Sequence, residues 1–157
     1  MAKYDDLCEL SKAALNRYTQ YTTDCYEFAS SFFNGMKDYF NYPEDALGFY
    51  PVTDTFDVSE LCTLHDSMQH CPDGFFELYF SLTLKQPSLE DTILAAMRVR
   101  KNTDGFIVRL GMSRREFEIH SKEDLTPAYD YIFDAIKNYY ERDGFIKSAS
   151  NTIGFAL

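Results

Sequence analysis

Between Tyr4 and Phe40 the chain has no proline and a single glycine, Gly35, and its apolar residues recur at heptad spacing. Leu7, Ala14, Tyr21 and Phe28 fall every seven residues, and Tyr18, Cys25, Phe32 and Tyr39 form a second seam that only Ser11 interrupts. That pattern predicts a helix over 4–40 with one face made to be covered. At about 1.5 Å per residue a single rod of this length would run roughly 55 Å, longer than a domain of this size is wide. The stretch TQYTTDC, with Thr19, Thr22 and Thr23, is the weak point, so a helical hairpin competes with one projecting rod. A projecting rod would carry its far end to another subunit.

The pattern breaks over 41–58, where Pro43, Gly48 and Pro51 predict an irregular linker with a short edge strand near Phe49 to Val52. A helical period returns over 59–70, with Leu61, Leu64 and Met68 on one face and Ser59 as a candidate N-cap. After Pro72, Asp73 and Gly74 the period becomes two. Phe76, Leu78, Phe80, Leu82 and Leu84 share one face, and Ile93, Ala95, Met97 and Val99 repeat the alternation. Asn102 to Gly105 supplies a turn into FIVRLGM, and SRR turns into EFEIH, so 75–120 reads as a four-stranded antiparallel meander.

A closing helix over 121–143 follows. Ser121 with Asp124 resembles a capping box, Thr126–Pro127 is an alternative start, and Leu125, Tyr129, Ile132, Phe133, Ile136 and Tyr140 make the apolar stripe. Arg142 and Gly144 suit its end, and the apolar tail 144–157 is left without a place. The expected architecture is α+β: a long N-terminal helix or hairpin, a four-stranded antiparallel meander, and a C-terminal helix, with helices covering one sheet face. At 157 residues a single domain spanning 1–157 is expected, large enough to fold without metal or disulfides.

Charge changes the picture next. The net charge of −10 disfavours general binding to nucleic acid or acidic lipid and leaves another protein, such as a basic one, as the natural partner, with a homodimer also open. No apolar run approaches a membrane span, and acidic residues stand where a signal peptide needs positive charge, so a cytoplasmic protein with free thiols is expected.

Against that acidic background, Lys85 to Arg115 holds seven basic and three acidic residues. Strand alternation puts Lys85, Arg98, Arg100 and Arg109 on the face away from the apolar one. There they could bind carboxylate or phosphate, or simply pair with Glu77, Glu116 and Glu118. A second candidate surface is the helix stripe at Tyr18, Tyr21, Phe28 and Phe32, although tyrosine at several seam positions disfavours a strict two-stranded coiled coil.

Candidate chemistry is confined to CTLHDSMQHC. Cys62, His65, His70 and Cys71 have the atom types of a zinc site but an unusual spacing, with all four in ten residues. On a helix Cys62 and Cys71 would lie on opposite sides, so a metal is disfavoured and no cofactor is expected, zinc being the minority reading. His65, Asp66 and Ser67 are hydrolase-triad residue types, but Ser67 lacks the glycine-flanked elbow that exposes a nucleophile. No phosphate loop, dinucleotide fingerprint or HExxH occurs. The residues therefore favour a non-catalytic acidic interaction module, such as an adaptor, inhibitor or chaperone-like protein. The alternative is a small enzyme or ligand-binding domain using the basic sheet face, with 62–71 lining a pocket.

Overall fold

The computed structural model describes residues 2–53, 60–111, 115–141 and 152–154. The expected Ser59 cap, the SRR turn at 113–115 apart from Arg115, the Arg142–Gly144 stop and most of the tail lie outside the described residues.

The first element, α1, is one unbroken helix, Lys3–Phe40, and not a hairpin. Its threonine run is helix-compatible because the hydroxyls of Thr19, Thr22 and Thr23 each donate to a carbonyl one turn back, at 3.0 Å in every case. Gln20 adds a bond to Asp24 at 2.8 Å. The helix stops at Asn41, whose left-handed backbone (φ 54°) returns an N–H to the Lys37 carbonyl.

A 3-10 turn, Glu44–Ala46, leads into β1, Leu47–Tyr50. After a single helical turn, α2 (Leu64–Ser67), come β2 (Gln69–His70), β3 (Phe76–Gln86), β4 (Leu89–Lys101), β5 (Phe106–Leu110) and β6 (Arg115–Ile119). Strands β3 to β6 form the expected antiparallel meander, and β1 and β2 share the outer edge of β3. The closing helix α3, Leu125–Glu141, follows a 3-10 turn, Lys122–Asp124, with the Ser121–Asp124 capping box in place. Thr152–Gly154 forms β7, parallel to Thr92–Leu94 of β4, a placement the sequence did not suggest.

The helix expected over 59–70 is corrected. Among its described residues only Leu64–Ser67 is helical, capped by Thr63, whose hydroxyl accepts the Asp66 N–H. Leu61, expected to face the core, is 68% exposed. The physical reason is the CPDG turn. Gly74, at φ 87°, donates to the Cys71 carbonyl while Cys71 donates to Phe75, and this folds Gln69–His70 back onto β3 as a hairpin.

The core lies between the sheet and the two long helices. From α1 it takes Cys25, Ala29, Phe32, Phe33 and Met36; from the strands, Leu78, Phe80, Met97, Val99, Val108 and Leu110; from α3, Ala128, Tyr129 and Ile132. Phe133, expected in that stripe, is instead about half exposed and lies against Phe40. The opposite sheet face is not bare, since Phe75, Tyr79, Ser81 and Leu94 are buried there.

Candidate interaction surface

The two halves of α1 have different surroundings. From Tyr21 onward its seam lies on the sheet: Tyr21 donates to the Gly74 carbonyl at 2.5 Å, Phe28 stacks on Phe106 with centroids 4.2 Å apart, and Phe33 meets Phe80 and Phe49. Asp24 pairs with Lys101 at the end of β4, which holds the Asp24 carboxyl below the usual carboxylate range, with the Gln20 amide as a second donor. Nearest the N-terminus among the aromatic contacts of the described residues, the Tyr18 ring stands edge-on to His70 at 5.4 Å.

Every residue from Ala2 to Gln20 is exposed. Within that half Tyr4, Leu7, Leu10, Leu15 and Tyr18 are 74, 62, 65, 63 and 46% exposed, although they continue the face that is buried further along. At 100° per residue, Tyr4, Leu7, Ala14, Leu15 and Tyr18 fall on the arc that Cys25, Ala29, Phe32, Phe33 and Met36 occupy against the sheet. Short of Tyr18 and its contact with His70, the free half is therefore a core-type helix face left exposed by the described residues. Single exposed leucines are ordinary, whereas a contiguous exposed apolar row is not.

This redistributes the expected helix residues. Phe32 is fully buried, and Phe28 and Tyr21 are engaged with the chain's own sheet. Of the four, only Tyr18 faces outward to a large extent, and the exposed stripe lies N-terminal to it. The heptad repeat contained this signal at Leu7 and Ala14 but gave no sign of where the sheet would end.

The basic residues are placed as alternation implies, and they are engaged. Glu77, Arg98, Arg109 and Glu116 are register partners in one row across β3 to β6. Arg98 bonds Glu77 at 3.1 Å and Asp73 at 3.3 Å, and Arg109 bonds Glu116 at 2.5 Å. The Arg109 guanidinium also stands 4.2 Å over the Phe75 ring, with Arg100 5.8 Å away on the same ring. Lys85 is remote from this row and pairs with Asp45.

The decapeptide is dispersed. Cys62 bridges to Phe49 beside β1, His65 packs edge-on to Tyr26, His70 contacts Tyr18 and Phe76, and the Cys71 thiol faces Glu77. Among the described residues no group of three His, Cys, Asp or Glu side chains could hold a metal ion. Burial pushes the Cys62 and Cys71 thiols above their ordinary pKa. Ser67 is buried, donates to the Tyr50 carbonyl at 2.6 Å and accepts the Tyr79 N–H at 3.1 Å. It thus continues the hydrogen bonding of β3 where β1 ends, and it is no exposed nucleophile.

A cleft of about 690 Å³ opens between α1, the β4–β5 turn and the start of α3, with Phe28, Phe106, Ile119 and Leu125 as its apolar floor. No sequence signal pointed to it, because its walls come from three separate segments.

No family model, curated protein or solved structure matches this chain. Among the described residues no helix is long and apolar enough to cross a membrane.

Proposed function

We propose that this protein is a non-catalytic cytoplasmic interaction module that engages another protein through the free half of α1. The observation that carries the reading is the row of Tyr4, Leu7, Leu10, Leu15 and Tyr18, exposed on a helix whose same face is core in its second half. An amphipathic helix gains little stability from propensity alone, so a helix presenting such a face is stabilised by whatever covers it. The arginine row is already matched by glutamates and contributes a charge-balanced surface.

The test places a photo-cross-linking residue at Leu10, on the stripe, or at Asn16, on the opposite side. Capture in the native cell from position 10 and not from position 16 is the expected result. Equal capture from both positions overturns the reading.

The cleft beside Phe28 favours a second reading, a site for a small apolar molecule, in place of the basic-face ligand site expected from alternation. Phe106→Glu, which puts a charge on the cleft floor, should then abolish any thermal shift produced by apolar dyes or fatty acids. A shift that survives the substitution removes this alternative.

A further inference from the structure

The free half of α1 has a setting, a length and an order of charges that fit one partner in particular. We propose that the stripe from Tyr4 to Tyr18 pairs antiparallel with the same stripe of a second copy of this chain. The proposal rests on reading that stripe as an interaction surface, and it names the occupant.

The setting comes first. Beyond Tyr18 the same helix face lies on the chain's own sheet, through Tyr21 on Phe76 and Phe28 on Phe106. An occupant of the free half must therefore end where the sheet begins. A second copy in parallel would bring its sheet to the same end and into the same gap between the helices, where the first sheet already stands. Turned antiparallel, the two sheets lie at opposite ends. The space left along each helix, 18 residues from Lys3 to Gln20 or about 27 Å, is then the length that the other free half supplies.

The charges agree with that direction. Lys3, Lys12 and Arg17 balance Asp5, Asp6 and Glu9, so the whole net charge of −10 resides in the rest of the chain. Self-association through this segment thus meets no net repulsion of its own. Apart from Lys3 at the tip, the acids precede the bases. An antiparallel partner lays Asp5, Asp6 and Glu9 beside the half that carries Lys12 and Arg17, and the two helix dipoles oppose. A parallel partner would set acid beside acid.

The seam also fits. Around a twofold between residues 12 and 13, Ser11 meets Ala14 of the second copy and Leu7 meets its Tyr18, with Leu10 and Leu15 closing the flanks. Small residues fall at the centre, where the helices come nearest, and large ones at the ends. Ser11, the one break in the seam, becomes the point of closest approach. The contact is self-complementary, as twofold pairing requires, and covers on the order of 1,000 Å², the lower range of specific interfaces.

Light scattering across a wide concentration range reads the particle mass. The wild type should be two chains, and Leu7→Glu/Leu15→Glu should be one chain with an unchanged circular dichroism spectrum in the sheet region, because both leucines are exposed in the single chain. Direction is read by disulfide trapping on a Cys8→Ser background. An equal mixture of Ser11→Cys and Ala14→Cys chains should give the mixed 11–14 link on oxidation, and Ser11→Cys alone should give none. A single-chain wild type, a paired Leu7→Glu/Leu15→Glu variant, or linkage of Ser11→Cys to itself overturns the proposal. If the wild type is one chain but Leu10 still cross-links selectively to another protein, self-pairing alone falls. If that selectivity is also absent, the interaction reading falls with it.

Discussion

The phenol of Tyr129 lies over Gly35, so close that a single carbon added to the glycine would run into the hydroxyl oxygen. The hydroxyl is fixed there because it donates to the Phe32 carbonyl at 2.7 Å, tying α3 to the backbone of α1. Burial raises the Tyr129 pKa, so the group stays a donor over the physiological range. Glycine costs α1 up to about 1 kcal/mol in helix propensity, and the close crossing is what that cost permits.

Gly35→Ala should therefore destabilise the protein by roughly 1 to 2 kcal/mol in urea unfolding, because overpacking outweighs the better helix propensity. Tyr129→Phe should cost about 1 kcal/mol for the lost hydrogen bond. The two should not add. Without the hydroxyl the alanine methyl has room, so the double variant should be more stable than the sum of the single losses by at least about 0.5 kcal/mol. Strict additivity would mean that the two groups do not meet.

Phe75 and Arg109 make the second prediction. Phe75 is 2% exposed although it lies on the sheet face away from the helices, and its cover includes the Arg109 guanidinium. Arg109→Ala should lose about 1 kcal/mol, the combined worth of a stacked cation and a partly exposed ion pair. Arg109→Lys should recover less than half of this, since an ammonium cannot both stack flat and hold Glu116. Full recovery by lysine would show that charge alone matters at this position.

How much of this was legible follows from the range of each signal. The meander and both long helices were readable because side-chain period is local: Phe76 to Leu84 alternate whatever surrounds them. The unbroken α1 was not, since threonine propensity argues for a break and only the bonds of Thr19, Thr22 and Thr23 to preceding carbonyls show how the helix continues. The CPDG turn was seen as a stop but not as a hairpin, because β2 is two residues long and has no period to read. The parallel pairing of Thr152–Gly154 is fixed by a strand sixty residues earlier. The division of one heptad stripe into a buried half and a free half is tertiary as well: Leu7 and Phe28 belong to the same seam, and only the edge of the sheet separates them.

A pH prediction arises at His120. Its ring donates toward the Asp104 backbone carbonyl at 3.4 Å and lies 3.8 Å from the Asp104 carboxylate and 3.6 Å from that of Glu118. The carbonyl contact first, then the carboxylates, raise its pKa above the ordinary histidine value near 6.5. A raised histidine contributes stability that is fully present below its unfolded value and is lost as the pH rises through the folded one. The wild type should therefore exceed His120→Gln in melting temperature most clearly below about pH 6, with the difference shrinking through neutrality. A difference that grows with pH would contradict this placement of the ring.

The four cysteines give the last prediction, because their thiols sit in graded environments. Cys8 is exposed, Cys62 and Cys71 are partly buried, and Cys25 is fully buried. Burial raises the pKa of Cys25, Cys62 and Cys71; at Cys71 Arg98 opposes the rise while Glu77 and Asp73 add to it. Since the thiolate is the nucleophile, iodoacetamide followed by mass spectrometry should label Cys8 first, Cys62 and Cys71 later, and Cys25 last. The same experiment tests the zinc reading. A metal held by Cys62 and Cys71 would require both thiolates as ligands, and chelator would then accelerate their labelling. Because Cys62 is held by its backbone beside Phe49 while the Cys71 thiol faces Glu77, the order and rates of labelling should be the same with and without chelator.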